Sequence, residues 1–145
     1  MAAKTAAAPA KTPDAVMLSL LHAARKLEDR IESTLGEVGL SWPKLSVLTQ
    51  LVQAKGPMTL SDLAAGLACV RSNMTQLVDR LEADGLVKRV ADPDDRRIVR
   101  AELTATGRDR QASGAERIDA IQADFAGSLS AADRSVFGRV LAGLK

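Results

Sequence analysis

Between positions 71 and 76 the chain gathers Arg71, Ser72, Asn73, Thr75 and Gln76, one guanidinium among four short hydrogen-bonding groups. Side chains of this kind bond to base edges and to phosphates. Met74, Leu77, Val78 and Leu81 recur between them at helical spacing, from Arg71 to Asp84. With those four facing inward, the five polar residues must face outward in the first turns. No acid appears on this helix before Asp79, whereas a merely solvated helix more often carries Glu and Lys pairs. The face therefore reads as one that enters a major groove, where a recognition helix reads with its N-terminal residues. Arg80, further along, either joins this face or bridges Asp79, Asp84 or the segment that follows.

The flanking segments must hold that helix in place. Thr59-Leu60-Ser61-Asp62 has capping-box spacing, with Asp62 where Glu is commoner. It opens a short helix carrying Leu60, Leu63, Ala64 and Leu67, and Ala68-Cys69-Val70 turns the chain into the recognition helix. Beyond Gly85, Leu86 to Ala91 suits a strand, and Asp92-Pro93-Asp94-Asp95 is dense in turn formers. From Arg97 to Leu103 the residues alternate, with Val99, Ala101 and Leu103 on one face. Two strands joined by a polar loop make a hairpin with Arg96 at its tip. Short helix, turn, amphipathic helix and hairpin, in that order, describe a winged helix-turn-helix over residues 41–103.

Helical patterns flank this region. Ser41-Trp42-Pro43 starts a helix with Leu45, Leu48, Leu51 and Val52 as its inner face, and Met58-Thr59 suits a very short extended segment. Upstream, Leu20, Ala24, Leu27, Ile31 and Leu35 form one stripe, widened by Met17, Leu18 and Leu21 and ended by Gly36 and Gly39. Thr12-Pro13-Asp14 reads as its start. Downstream, Thr104 opens a long helix that Gly107 and Gly114 weaken, carrying Ala115, Ile118, Ile121 and Phe125. Ser130-Ala131-Ala132-Asp133 caps a last helix bearing Val136, Phe137, Val140, Leu141 and Leu144. The terminal stripes lie outside the winged region, which has apolar faces of its own. A dimer interface uses them more economically than an intramolecular core, and an isologous pair matches two-fold DNA sites. The expected fold is mainly α with a small β-hairpin wing (α+β). It forms a single domain over 13–145, with dimerisation helices at 13–40 and 104–145, behind a disordered tail at 1–12.

The inventory of reactive groups is thin. His22 and Cys69 are the only histidine and cysteine in 145 residues, so a His/Cys metal site of ordinary spacing cannot be built within one chain. No P-loop, dinucleotide fingerprint or nucleophile elbow appears, so neither catalysis nor a cofactor is expected. A lone cysteine permits no intrachain disulfide and suits a reducing, cytoplasmic setting. The apolar run around Ala15 to Ala24 falls far short of the ~20 residues that span a bilayer, so no membrane partner is expected. Aromatics make up 2% of the chain, too few for stacking platforms on single-stranded nucleic acid.

The net charge is +2, and Thr59 to Leu103 holds seven bases against eight acids. Binding to duplex DNA must therefore come from placement, with acids paired to or behind some arginines and Arg96 left free for a narrow minor groove.

These residues resemble a known family. Leu63-Ala64 through Leu67, the run from Met74 to Glu82, Gly85-Leu86-Val87, Asp92 to Arg97 and Leu103-Thr104 are similar to the MarR family of bacterial transcriptional regulators. The resemblance is close over Leu60 to Gly107. It implies a homodimer with interlocked terminal helices that represses genes from a pseudo-palindromic operator and is released by a small aromatic or phenolic acid. It also implies that Arg96 enters the minor groove, that Asp94 orients it, and that Arg97 contacts the backbone. Val70 stands where the family usually has Ser or Thr, so a helix cap is missing, with Ser72 or Asn73 as possible substitutes. The family's effector pocket lies between the N-terminal helices and the winged domain. His22 and Arg25 share a helix face, and with Trp42 they would supply a cation and an aromatic wall for a carboxylate. The alternative is a helix junction with a core Trp and a surface His. Cys69 reads either as a small buried hydrophobe or as a redox-sensing thiol beside Arg71. A winged-helix module that binds protein instead of DNA is the remaining rival.

Overall fold

In a computed structural model the structure describes residues 13–68 and 70–144. The tail at 1–12, the cap expected at Thr12 and both readings of Cys69 lie outside the described residues.

The first helix, α1 (Pro13–Gly36), ends as the chain turns through Gly39 at φ +69°, a left-handed geometry that glycine adopts without penalty. The Leu35 carbonyl accepts from both Val38 N–H and Leu40 N–H at 3.0 Å. Gly39, more than Gly36, thus sets the corner. Helix α2 (Trp42–Ala54) starts where the Ser41 side chain accepts from Lys44 N–H, with Pro43 in the first turn. It ends at Lys55, which is itself left-handed at φ 56°.

Leu45, Val47, Leu48 and Leu51 are the buried residues of α2. Val52, expected inside, is only half-buried, and Val47 takes the inner position. Helix α2 is contacted by α1 and by elements that follow it in the chain, so more than one stripe of it is enclosed.

Met58–Thr59 forms β1, and helix α3 (Leu60–Gly66) follows with Thr59 capping Asp62 N–H at 3.1 Å. Helix α4 (Arg71–Ala83) then leads through Gly85, at φ +71°, into β2 (Val87–Ala91) and β3 (Val99–Leu103). The strands form one antiparallel sheet in the order β1-β3-β2. Met58 pairs with Ala101, and Val87 to Ala91 pair with Leu103 to Val99. The hairpin thus gains a third strand that roots it beside α3. Of the β3 face expected to turn inward, Ala101 is fully buried and Leu103 half-buried, whereas Val99 lies exposed toward the wing tip.

Helix α5 (Ala105–Gly127) runs back across the molecule, and α6 (Ala131–Gly143) is capped by Ser130, as its spacing predicts. Leu35 from α1 and Ile118 and Ile121 from α5 join Leu48, Met74 and Leu81 in the same core. The N-terminal half of the α1 stripe stays exposed, as does the whole of α6, whose contact with the rest includes Phe137 tilted against Phe125 at 6.2 Å. Phe125 is therefore a surface partner of α6 and not a core residue.

Two glycines expected to weaken α5 do different work. A Cβ at Gly114 would lie 2.8 Å from Leu40 Cδ1, and one at Gly107 only 1.9 Å from the Leu86 carbonyl oxygen. At Gly107 α5 crosses a backbone carbonyl too closely for any side chain, whereas at Gly114 it packs against leucine side chains.

Candidate nucleic-acid interface

Helix α4 is oriented by its buried residues Met74, Val78 and Leu81, with Leu77 partly buried beside them. Arg71, Ser72, Asn73, Thr75, Gln76 and Arg80 are all exposed on its other side. Thr75 is partly committed, since its hydroxyl donates to the Arg71 carbonyl at 3.1 Å. Val70 occupies the N-cap and supplies no side-chain cap. Neither Ser72 nor Asn73 replaces it, which leaves both side chains turned outward.

The charges are sorted by position. Arg89 on β2 forms ion pairs with both Asp79 and Glu82, one turn apart on α4. Burial disfavours the Arg89 charge, but the hydrogen bonds it donates to Asp79 and Glu82, with their negative charges, outweigh this and raise its pKa above the usual arginine value. Lys88 pairs with Glu102, Lys44 with Asp84, and Arg100 with Asp92. Five of the eight acids in the winged region are thereby neutralised locally. Among the described residues Arg71, Arg80, Arg96 and Arg97 are in no ion pair. Arg80 bridges neither Asp79 nor Asp84, which are taken by Arg89 and Lys44.

The wing tip is a turn closed by Ile98 N–H donating to the Asp95 carbonyl at 3.0 Å. Arg96 and Arg97 occupy its two corners, both exposed. Asp95 Oδ1 accepts from Arg97 N–H at 2.9 Å. The acid that organises the loop is Asp92, which is buried at its base. Its Oδ1 accepts from Asp94 N–H at 2.9 Å and Asp95 N–H at 3.1 Å, while Oδ2 accepts from Arg100 Nε. These bonds, that of Asp94 N–H foremost and then that of Arg100, hold the Asp92 carboxyl below its ordinary pKa. The resemblance implies that Asp94 orients Arg96, while the bonds that hold the loop run through Asp92. Among the described residues the Asp94 carboxylate is in no ion pair, and its backbone N–H donates to Asp92. Turn-forming composition marked the loop, but only its folded path distinguishes the acid that faces in.

A lowered pKa means that Asp92 supports the wing above the ordinary carboxylate range near ~3.9 and that this support is lost as pH falls through the lower folded value. We expect Asp92→Ala to accelerate exchange of the Asp94 and Asp95 amides by on the order of tenfold, and Asp94→Ala to leave the Asp95 amide unchanged. Amide hydrogen exchange followed by NMR at neutral pH checks this, and equal effects of the two variants would refute it.

The three expected ligand residues are not brought together. Trp42 is half exposed and lines three clefts. His22 and Arg25 are exposed on α1 and line none of them. The backbone N–H of Trp42 donates to Glu32 Oε1 at 3.0 Å. That contact places Trp42 beside the last third of α1, ten residues beyond His22, or roughly 15 Å along the helix at 1.5 Å per residue. Among the described residues no group of three or more His, Cys, Asp or Glu is placed to hold a metal ion. Nor is any helix long and apolar enough to cross a membrane.

Comparison with known proteins agrees with this architecture. Residues 40–99 match the family model described as "MarR family". The HTH-type transcriptional regulator YsmB of Bacillus subtilis is 34% identical over 89 residues, which cover 61% of this chain and 60% of that protein. The chain thus matches well under two thirds of this relative's length. Among solved structures, the organohalide-sensing regulator RdhR-CbdbA1625 bound to 2,4-dichlorophenol superposes with a TM-score of 0.77 at 19% identity, covering 98% of this chain and 86% of the other. A mutant MarR from E. coli complexed with operator DNA superposes with a TM-score of 0.72 at 20% identity, covering 87% and 91%. The chain thus matches the MarR family model over residues 40–99 and shares the winged helix-turn-helix fold of these solved structures.

Proposed function

We propose that this protein is a homodimeric, sequence-specific repressor that binds double-stranded DNA in the cytoplasm and is released by a small ligand. The observation that carries the reading is the sorting of charge. The four arginines on the outer face of α4 and at the wing tip are left unpaired, while five of the acids around them are matched to other bases. Unpaired guanidiniums at these positions release counterions from phosphates without first breaking a bond within the protein.

In this reading α4 enters the major groove. Arg71, Ser72, Asn73 and Gln76 meet base edges and phosphates there, and Thr75 offers its remaining lone pairs. Arg80 and Arg97 contact the backbone, and Arg96 reaches the adjacent minor groove. Asp94 acts on Arg96 only indirectly, through the loop that Asp92 holds. The likeness of fold to the E. coli MarR solved with operator DNA supports DNA binding.

Residues 13–40 and 104–145 form the dimer interface. Support comes from apolar surface that one chain leaves open, including Met17, Leu18 and Leu21 on α1 and Val140 and Leu141 on α6. A two-fold pair sets the recognition helices about one turn of B-DNA apart, ~10 bp, which calls for a pseudo-palindromic site. Ligand release is supported by the clefts around Trp42, which lie between α1, α2 and α5.

Analytical ultracentrifugation and fluorescence anisotropy with DNA from upstream of the protein's own gene test the reading. A dimer is expected, with affinity falling steeply as salt rises. Leu141→Glu is expected to yield monomers that bind at least ~100-fold more weakly, since each half-site alone gives up the shared binding energy of the pair. A monomeric wild type, or one that ignores this DNA at low salt, would instead favour the protein-binding rival.

A further inference from the structure

The clefts that meet at Trp42 carry charge of one sign. One, about 360 Å³ between α2 and α5, has apolar walls such as Leu45 and Ile118. Its polar lining includes Gln50, Gln111 and Asp119. A second, about 370 Å³, holds Glu28 and Glu32 on the other side of Trp42, and a third of about 170 Å³ is bounded by Ile31 and Phe125. Among the described residues no Lys, Arg or His lines any of the three. The nearby cations are committed elsewhere, Arg30 to Asp124 and Arg117 to Glu37, each at 2.5 Å. Among the described residues Glu28, Glu32 and Asp119 are in no ion pair.

A second observation concerns Gln50. Its side-chain oxygen is buried without a hydrogen-bond partner. An unmatched buried acceptor is costly and is met by a donor when one arrives. Gln50 is among the residues lining the first cleft, and its terminal torsion is soft.

We infer that the Trp42 recess binds a small organic cation, an amidinium or ammonium group on a flat apolar body, and discriminates against aromatic carboxylates. The apolar walls take the body, the indole face and Asp119 attract the charge, and the Gln50 oxygen accepts one N–H. An aromatic acid brings a negative charge to a cleft lined by Asp119, with Glu28 and Glu32 in the neighbouring cleft across Trp42, which is a built-in repulsion. The cationic partner expected from His22 and Arg25 is absent from this recess. The inference deepens the proposed ligand response and rests on it only for the effect on DNA.

Three probes of nearly one shape separate charge from fit: benzamidinium, benzamide and benzoate. Trp42 is the sole tryptophan and the chain has no tyrosine, so protein fluorescence reports the recess directly. Titration of the full chain is expected to show benzamidinium binding at least ~10-fold more tightly than benzoate, as a few partly screened unit charges allow, with benzamide between them. Asp119→Asn, a change at an exposed residue without bonds in the structure, is expected to shrink that ratio by at least half while the melting temperature stays put. Equal or tighter binding of benzoate, no binding of any probe, or an unchanged ratio in Asp119→Asn overturns the inference. Tight binding of benzamidinium that leaves DNA affinity unaltered upholds it and overturns ligand-controlled release.

Discussion

Replacing Arg96 and Arg97 together by alanine is expected to weaken DNA binding by about 100-fold and to reduce the slope of log affinity against log salt by roughly 1 to 2. Both side chains stand exposed at the corners of the Asp95–Ile98 turn, and neither is in an ion pair among the described residues. Their removal therefore leaves the fold intact, and the melting temperature and the dimer are expected to be unchanged. Lys88→Ala provides the contrast. Lys88 already spends its charge on Glu102 at 3.1 Å, and an exposed ion pair contributes only ~0 to 1 kcal/mol, so both affinity and salt slope are expected to stay near those of the wild type. Anisotropy titrations over a series of salt concentrations measure both quantities at once. A double variant with unaltered affinity and slope would remove the wing from the DNA interface.

Gly107→Ala is expected to cost stability through a single methyl group. The added Cβ would meet Leu86 O at 1.9 Å, Leu86 C at 2.9 Å and Leu103 Cδ1 at 3.0 Å. A flexible side chain retreats from such contact, but a backbone carbonyl cannot easily do so. This carbonyl also accepts Thr104 N–H at 3.1 Å, and Thr104 Oγ1 donates to the Gly85 carbonyl at 2.7 Å and accepts from Gly107 N–H at 2.9 Å. Moving Leu86 therefore strains the clasp that joins α4, the sheet and α5.

Overpacking of this kind costs ~1 to 3 kcal/mol and against backbone reaches the upper end, which exceeds the ~1 kcal/mol that alanine returns in helix propensity. A net loss of about 2 kcal/mol lowers the melting temperature by roughly 8 °C for a domain of this size. Gly36→Ala, with nothing within 4 Å of the new Cβ, is expected to stay within ~0.5 kcal/mol of wild type. Thermal unfolding followed by circular dichroism compares the two. A Gly107→Ala protein as stable as Gly36→Ala would show that α5 shifts freely at this crossing.

The recognition helix, the hairpin and the caps at Ser41, Thr59, Thr104 and Ser130 are legible in the residues themselves, and so is the likeness to the MarR family. Each is encoded within a few residues of itself. Apolar spacing decides which side of α4 faces in, and a cap reaches only three positions ahead. The exposed polar set on α4 follows from that spacing alone.

Other features depend on segments distant in the chain. Arg89 meets Asp79 and Glu82 only because β2 folds back along α4. That contact separates neutralised charge from available charge in a region whose totals nearly cancel. Composition marks three acids and two arginines between Asp92 and Arg97, yet only the path of the loop buries Asp92 and leaves Asp94 outside. Gly107 and Gly114 read as flaws in a helix until the elements they cross are in place. His22 and Arg25 share a face in sequence, but the contact of Trp42 with Glu32 sets the recess farther along α1, among carboxylates. Periodicity and propensity act through neighbours on one element, so sequence alone settled the elements and their faces. Which faces meet, and hence which charges cancel, depended on how those elements cross, and that was decided only by tertiary packing.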